Sequence, residues 1–247
     1  MTVKATGGVR WHMRALMQRT RWYATNALLA DWLAQTQPVS SELLLVGASA
    51  GWMMSGPWLQ RFKKITVIDL DPIAPCLFRL NHGRALKRSG TQLAFLRGDA
   101  LADLPQLLRG YPQASVFFDN VLGQHRFRMD DTDQAEAELN GMAERLHGRD
   151  WGSVHDLFSG PVTPAFKGSE PVAIPAEIEA TGLIANGLSD ARLQQWLLSR
   201  VGASGPWIDH LTLGVFPPNT RSCLISWDFL PGYKHWLQAG WVAPGSS

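Results

Sequence analysis

Short apolar runs alternate along the chain with longer stretches in which apolar residues recur at a helical period. The short runs predict seven strands, at residues 43–46, 65–69, 93–96, 115–118, 153–156, 208–216 and 221–229. The longer stretches predict helices between them, at residues 52–62, 72–83, 101–108, 130–146 and 190–201. Because strands and helices alternate, the pattern predicts an α/β fold with a doubly wound, mostly parallel seven-stranded sheet. The link between the last two runs is short, which favours an antiparallel last strand.

The segment before the first strand is predicted to be an addition to this core. Residues 10–35 have the period of one helix or a pair of helices, and Pro38 follows them. Such an extension can cover the open end of the sheet as a lid, with Trp11 and His12 facing a substrate. The predicted organisation is a single domain, 1–247, with a helical extension at 1–40, a Rossmann-like core at 41–230 and an irregular, proline- and glycine-rich insertion at 161–189.

Polar residues follow four of the predicted strands at the position where each strand ends. The first strand runs into Gly47-Ala48-Ser49-Ala50-Gly51, where small residues let the backbone turn closely before a helix begins. Backbone N–H groups in such a turn can hold an anionic group. The later strands end in Asp69, in Asp99-Ala100 and in Asp119-Asn120. Since open α/β sheets bind ligands at the carboxyl ends of their strands, these residues predict a nucleotide site, with Asp69 accepting both ribose hydroxyls.

Composition limits the classes of protein to which the chain can belong. At 247 residues, with 45% hydrophobic and 18% charged residues, it is long enough to bury one large core. The net charge of +2 is too small to indicate nucleic-acid binding, although five basic residues precede the first acid, Asp31: Lys4, Arg10, Arg14, Arg19 and Arg21. The sequence has no long apolar span, and Cys76 and Cys223 lack a metal-binding spacing. We therefore expect a cytoplasmic protein that does not associate with a membrane.

The order of these features resembles the class I S-adenosylmethionine-dependent methyltransferases over roughly residues 41–229. The resemblance depends on the glycine turn after the first strand, the acid after the second, Gly98-Asp99-Ala100 after the third and the closing antiparallel pair. It implies S-adenosylmethionine as cofactor and a small organic acceptor with an O- or N-nucleophile. The implied cofactor-binding residues are Gly47 and Gly51 beside the methionine part, Asp69 on the ribose, Asp99 on the adenine amine, Asp119 or Asn120 beside the reacting methyl, and Ser49 and Ala100 in the same turns.

The glycine turn departs from the pattern of that family at two positions. The family has an acid two residues before the first glycine and a glycine in the middle of the turn, where this chain has Leu45 and Ser49. Relatives of this fold also include proteins that transfer an aminopropyl group and proteins that catalyse nothing. A methyltransferase that binds RNA through the basic N-terminal helix is a further alternative.

The same turn also fits the G-x-S-x-G elbow of serine hydrolases, in which Ser49 would be the nucleophile and His155 or His210 the base. That alternative leaves Asp69 and Asp99 without a role, and it places the elbow unusually early in the chain. A nicotinamide dehydrogenase is less favoured, because its motif needs glycines where Ser49 and Trp52 stand.

Methyl transfer to a hydroxyl or a protonated amine needs a group that removes a proton. Histidine suits this role because its unperturbed pKa is about 6.5. His155, at the end of the fifth predicted strand, is the first candidate, followed by His125 after the fourth strand and His12 on the extension. Adjacent residues such as His155 and Asp156 face opposite sides of a strand, so we predict no metal site.

Overall fold

The computed structural model describes residues 8–163 and 170–245, and the secondary structure of these residues includes eleven strands. The strands are β1 (Glu42–Val46), β2 (Lys64–Asp69), β3 (Gln92–Arg97), β4 (Ser115–Asp119), β5 (Trp151–Pro161), β6 (Ala173–Glu179), β7 (Gly182–Ala185), β8 (Leu188–Ser189), β9 (Ile208–Asp209), β10 (Arg221–Leu230) and β11 (Tyr233–Val242).

The α-helices of the same residues lie before and between the strands. They are α1 (Val9–Met17), α2 (Arg19–Gln35), α3 (Gly56–Leu59), α4 (Ala74–Phe78), α5 (Arg84–Ser89), α6 (Leu104–Gly110), α7 (Thr132–Asn140), α8 (Met142–Arg145) and α9 (Asp190–Arg200). A π-helical turn, Arg79–Gly83, joins α4 to α5, and a 3₁₀ turn, His125–Arg128, follows β4. None of the helices in the described residues has both the length and the apolar character needed to cross a lipid bilayer.

All of these strands belong to one sheet, in the order β3-β2-β1-β4-β5-β11-β10-β6-β7-β8, with β9 paired to β5. The strands from β3 to β5 are parallel to one another. The remaining pairs, from β5–β11 outward, are antiparallel. Because the chain moves outward from β1 through β2 and β3 on one side, and from β4 through β5 on the other, the parallel part is doubly wound. The predicted mixed α/β sheet with mostly parallel central strands is therefore confirmed.

Helices cover both faces of the sheet, because alternate residues of the central strands point to opposite sides. Leu44 and Val46 belong to one hydrophobic cluster, which includes residues of α6, α7 and α9. Leu43 and Leu45 belong to the other, which includes residues of α1 and α2. The central strands β1 and β4 are thus buried on both faces.

The prediction for the closing strand pair is wrong. Of residues 208–216 only β9 is a strand, and the last antiparallel pair consists of β10 and β11. The strand β11 lies beyond the predicted core boundary at residue 230. Its sequence lacks an apolar run because Lys234, His235 and Gln238 are buried in it among apolar neighbours.

The predicted irregular insertion at 161–189 is also wrong for its described part. Residues 173–189 contain β6, β7 and β8, which extend the sheet beyond the predicted seven strands, whereas residues 164–169 lie outside the described residues. In β6 the buried positions alternate with exposed ones, and Pro175 occupies an exposed position. The short, polar and proline-containing strands are typical of a sheet edge, which explains the weak sequence signal. The division into a single domain stays a prediction.

The N-terminal helices α1 and α2 lie where the sequence predicts a helix or a pair of helices. The helix predicted at 52–62 is reduced to α3, which begins after Ser55, whose hydroxyl accepts a hydrogen bond from the backbone N–H of Trp58 at 3.4 Å. Of the basic N-terminal residues, Lys4 lies outside the described part of the chain.

Candidate functional site

A pocket of about 410 Å³ opens at the carboxyl ends of the parallel strands, and this volume lies within the range of ligand sites, roughly 300–1,000 Å³. It lies where the strand order reverses between β1 and β4, the position at which doubly wound sheets bind their ligands. Seven of the eight predicted cofactor-binding residues line it: Gly47, Ser49, Asp69, Asp99, Ala100, Asp119 and Asn120. The predicted residues from four different strands therefore meet at one place.

The turn after β1 has a backbone conformation that glycine favours. Gly47, Ser49 and Gly51 have φ angles of 74°, 51° and 67°. A Cβ atom at Gly47 would lie 2.8 Å from the Cβ atom of Val121, so the turn approaches the loop after β4 closely. Gly51 is the predicted cofactor residue that does not line the pocket; its carbonyl lies 2.9 Å from Nε2 of His82, on the side of the π-helical turn. Gly51 therefore supports the turn from the side that faces away from the pocket.

Ser49 has a hydroxyl that is buried and has no hydrogen-bond partner among the described residues. A serine nucleophile needs a base within hydrogen-bond reach, and Ser49 has none here, which disfavours the hydrolase alternative.

We expect Ser49→Gly to preserve the fold and to stabilise it slightly. Glycine adopts the left-handed conformation without the steric cost of roughly 1 kcal/mol that serine has there. This gain should exceed the larger backbone entropy that glycine loses on folding. Urea unfolding of the two proteins measures this difference. A variant that unfolds at lower urea concentration would show that the serine hydroxyl has a partner that we do not see.

Asp69, at the end of β2, is held by two backbone donors. Its Oδ2 accepts the N–H of Ser49 at 2.7 Å, and its Oδ1 accepts the N–H of Asp71 at 2.8 Å. Burial raises the pKa of the Asp69 carboxyl and the nearby Asp71 adds to this, although the two backbone hydrogen bonds oppose the rise. Each carboxylate oxygen has a second lone pair, so Asp69 can still accept two hydroxyl donors from the pocket.

Asp119, at the end of β4, is the most strongly perturbed acid of the pocket. Burial and the facing Asp69 raise the pKa of its carboxyl to about 8. Its side chain forms no hydrogen bond with any other described residue, and the residue is 8% exposed. A buried carboxyl without a donor favours its neutral form, and a cationic ligand in the pocket would favour the ionised form.

Asp99 and Asn120 are both engaged with neighbouring residues. The Asp99 carboxylate accepts the N–H groups of Leu101 and Ala102 and forms an ion pair with Arg128, which also lines the pocket. Asn120 has a φ angle of 54°, and its side chain bonds to Asp156 on β5 through two hydrogen bonds of 3.0 Å. Asn120 therefore presents mainly its backbone to the pocket.

The first helix forms one wall of the pocket through Gly8 and Trp11. Asp71 fastens this helix: its Oδ2 accepts the N–H of Gly8 at 2.7 Å and lies 2.9 Å from Nε2 of His12. The indole N–H of Trp52 donates to Nδ1 of His12 at 3.0 Å. His12 thus has both ring nitrogens occupied and lies behind the wall, whereas its neighbour Trp11 faces the pocket.

Neither of the other two predicted bases lines the pocket. His155 is fully buried in β5, with Nδ1 at 2.9 Å from the Ser153 hydroxyl and Nε2 at 3.3 Å from the Gln238 amide oxygen. Burial lowers its pKa to about 4. His125 bonds to Glu138 at 2.9 Å through Nε2. The structure therefore does not bring His155, His125 or His12 to the pocket surface.

Several pocket residues were not predicted from the sequence. They include Gly8, Gln124 and Arg128, together with Asp71, whose carboxylate anchors the first helix. Asp71 also accepts the N–H of Ile73 at 3.0 Å. The remaining residues reach the pocket through tertiary folding, and no motif marks them.

A second polar group includes one residue of β5, one residue of β11 and the residue that follows β9. Asp156, His210 and His235 are buried, and a carboxylate oxygen and two ring nitrogens of the group lie within 4.8 Å of one another. The group was missed because His235 and His210 are far from Asp156 in sequence, and the prediction of no metal considered only adjacent residues.

The doubly wound sheet and the crevice at its switch point define a Rossmann-like α/β protein with a pocket where such sheets bind ligands. No family model matches the chain, and no curated protein matches it. Solved structures of similar fold include an O-methyltransferase family protein from Burkholderia thailandensis, with 13% identity, a TM-score of 0.45 and coverage of 94% of this chain and 59% of that chain. The chain therefore spans about 59% of the length of that protein.

Two further similar structures were solved with S-adenosylhomocysteine bound. Magnesium protoporphyrin IX methyltransferase from Synechocystis PCC 6803 has 17% identity and a TM-score of 0.43, with coverage of 96% of this chain and 90% of that chain. The N-methyltransferase NodS from Bradyrhizobium japonicum WM9 has 16% identity and a TM-score of 0.39, with coverage of 87% and 84%. Such low identities and TM-scores do not establish an activity for this chain, which must be inferred from the pocket itself.

Proposed function

We propose that this protein is an S-adenosylmethionine-dependent methyltransferase that acts on a small organic acceptor through an oxygen or nitrogen nucleophile. The main support for the proposal is that the Gly47 turn, Asp69 and Asp99 all line one pocket of about 410 Å³. These three features lie at the ends of three neighbouring parallel strands. Their order along the rim matches the order of methionine, ribose and adenine in the cofactor.

The residues of the rim fit the chemical groups of that cofactor. Asp69 has lone pairs left for the two ribose hydroxyls, and Asp99 can accept the adenine amine while it remains bonded to its own loop. The turn after β1 approaches Val121 this closely only because Gly47 has no Cβ atom, and we assign the methionine part of the cofactor to the pocket side of this turn. The cofactor carries a positive sulfonium, and the buried Asp119 carboxyl is the acid of the pocket that such a charge would ionise.

The departure at Leu45 has a structural explanation that is compatible with the proposal. Leu45 is fully buried in the hydrophobic cluster under α1 and α2, so no acid at this position faces the pocket. Asp69 and, once a cationic ligand is bound, Asp119 supply the negative charge of the pocket instead.

Bound S-adenosylmethionine supplies an activated methyl group, so the chain has to orient the acceptor, exclude water and accept a proton. Trp11 and Trp52 give the pocket two aromatic wall residues, which suit the task of keeping water away from the acceptor. A nucleic-acid acceptor is less compatible with the structure. Arg21 pairs with Asp228 at 2.9 Å and Arg14 stacks on Phe229, so two of the basic N-terminal residues are engaged within the protein.

Isothermal titration calorimetry with S-adenosylmethionine and S-adenosylhomocysteine tests the proposal. We expect both to bind, and we expect the preference for the cationic S-adenosylmethionine to grow as the pH rises from 6 toward about 8, because Asp119 then ionises more readily. Adenosine is the matched ligand without the methionine part, and it should bind more weakly than either. Absence of binding by all three ligands at millimolar concentration would refute the proposal.

A further inference from the structure

An aromatic cluster lies between the N-terminal helices and the β10–β11 hairpin, next to the pocket. It consists of Trp11, Trp22, Trp227, Phe229 and Tyr233. Trp227 contacts Trp22 and Phe229 with ring centroids 4.9 Å and 4.8 Å apart. Trp11, which lines the pocket, has its ring 6.5 Å from Trp227 and 6.3 Å from Phe229. Trp11 is therefore the member of the cluster that also forms part of the pocket wall.

Two buried polar atoms of this region have no hydrogen-bond partner among the described residues. They are Nε1 of Trp227 and Nε2 of His235, in residues that are 1% and 8% exposed. Trp227 and His235 are directly paired across β10 and β11, so their side chains lie on the same face, with ring centroids 5.1 Å apart. Buried polar atoms are almost always hydrogen-bonded in folded proteins. One donor and one ring nitrogen that are both unpaired, and adjacent, indicate a ligand position.

The opposite nitrogen of His235 determines the state of this ring. Its Nδ1 lies 2.7 Å from Oδ1 of Asp156. Burial alone would raise the pKa of Asp156, but the facing His235 and the amide of Asn120 lower it to about 2, so the carboxylate is ionised. An ionised carboxylate accepts the N–H of Nδ1, which in the neutral form of the imidazole leaves a lone pair on Nε2. Asp156 thus orients His235 as a proton acceptor.

The neighbouring His210, unlike His235, has a hydrogen-bond partner at each of its two ring nitrogens. Its Nδ1 lies 2.6 Å from the carbonyl oxygen of Gly123, and its Nε2 lies 2.9 Å from the Ser159 hydroxyl. Both nitrogens are satisfied by the protein, whereas His235 has one that is not. The arrangement favours proton transfer at His235 over a metal ion held by all three residues of the group.

We propose that the aromatic cluster is the acceptor site, in which Trp227 Nε1–H donates a hydrogen bond to a hydroxyl oxygen of the acceptor and His235 Nε2 accepts its proton. This inference rests on the proposed methyltransferase function. The chemical class that fits is a planar, largely apolar molecule with a hydroxyl group, because rings stack on the surrounding indoles and a single polar group meets the two unpaired atoms. The rings of the cluster are in contact, so the acceptor displaces Trp11, whose helix α1 is nine residues long.

The step is balanced without a further reactant. The acceptor O–H bond breaks and its proton goes to Nε2 of His235, which becomes an imidazolium beside the Asp156 carboxylate. The oxygen lone pair forms a bond to the methyl carbon, and the carbon–sulfur bond breaks with its electron pair remaining on sulfur. The products are the methyl ether and S-adenosylhomocysteine.

The same hydrogen-bonded residues connect this site to the cofactor pocket. Asn120 lines the pocket with its backbone and donates from its side chain to Asp156 at 3.0 Å, and Asp156 bonds to His235. The base and the cofactor rim are therefore joined by two side chains, in addition to the shared wall at Trp11.

Phenol and toluene, which differ by one hydroxyl, test the inference on protein saturated with S-adenosylhomocysteine. The indole N–H signal of Trp227 is identified in a ¹H–¹⁵N spectrum by its loss in Trp227→Phe. We expect phenol, but not toluene, to shift this signal. We also expect Trp227→Phe and His235→Phe to weaken phenol binding roughly tenfold.

The matched control is Trp196→Phe, which removes an indole from the opposite face of the sheet and should leave phenol binding unchanged. Thermal unfolding shows which variants are folded. If His235→Phe is not folded, the test is decided by Trp227→Phe, which retains an aromatic ring. Equal shifts with phenol and toluene, or no shift at saturating phenol, would overturn the acceptor site while S-adenosylhomocysteine binding leaves the proposed function intact. Failure of S-adenosylhomocysteine to bind the unmodified protein would remove both.

Discussion

Asp119→Asn is expected to stabilise the ligand-free protein at pH 8 and to remove part of its pH dependence. In the folded protein, burial and the facing Asp69 raise the pKa of Asp119 to about 8, whereas an unfolded chain releases this proton near the ordinary carboxyl pKa of 3.8. Between these values the folded state binds one proton more than the unfolded state, so the stability of the unmodified protein falls as the pH rises through this window. The slope is on the order of 1 kcal/mol for each pH unit. Because asparagine cannot ionise, the stability of the variant lacks this pH-dependent contribution.

Urea unfolding of both proteins at pH 5, 6, 7 and 8 measures the effect as a difference. Buried histidines such as His155, whose pKa burial lowers to about 4, contribute the opposite slope below pH 6.5, but they are present in both proteins and cancel. Asp31→Asn, at an exposed position of α2, is the matched control and should show no change in slope. If the difference in unfolding free energy between Asp119→Asn and the unmodified protein does not change with pH, the raised pKa of Asp119 is contradicted.

The second large effect is expected on cofactor affinity. Asp69→Ala removes charge-assisted hydrogen bonds to the ribose, each contributing about 1.5–3 kcal/mol, so the affinity for S-adenosylmethionine should fall at least about tenfold. The substitution also frees the N–H groups of Ser49 and Asp71, which loosens the loops on both sides of the ribose position. Calorimetric titration of the variant against the unmodified protein measures the change.

Asp31→Ala serves as the control for the loss of one negative charge, because Asp31 does not line the pocket. Adenine alone provides a second comparison, since it lacks the ribose and its affinity should respond much less to the substitution. Unchanged binding of S-adenosylmethionine to a folded Asp69→Ala variant would refute the ribose assignment and, with it, the central part of the proposed function.

The sequence predicts the parallel half of the fold and the rim of the pocket because both depend on local signals. The strands β1 to β4 are continuous apolar runs, and Gly47, Asp69, Asp99 and Asp119 directly follow them. The topology of a parallel sheet then places these ends side by side. A local pattern is sufficient in this part of the chain because no distant residue has to be identified.

The antiparallel half and the histidines show where this approach fails. In β11 the buried positions include Lys234, His235 and Gln238, so burial does not follow hydrophobicity. His155 lies at the end of the fifth predicted strand, which makes it the first candidate from the sequence, yet it is buried in the core with Ser153 and Gln238 as partners. His235 could be recognised only through Asp156, which is 79 positions away in the chain.

The loop after β2 carries two carboxylates with different tasks. Asp69 faces the proposed ribose position, and Asp71, two residues later, holds α1 through Gly8 and His12. The backbone N–H of Asp71 donates to Asp69, so one hydrogen bond joins the residue at the proposed ribose position to the residue that holds α1. Release of the nucleoside and opening of the N-terminal helix should therefore be energetically coupled.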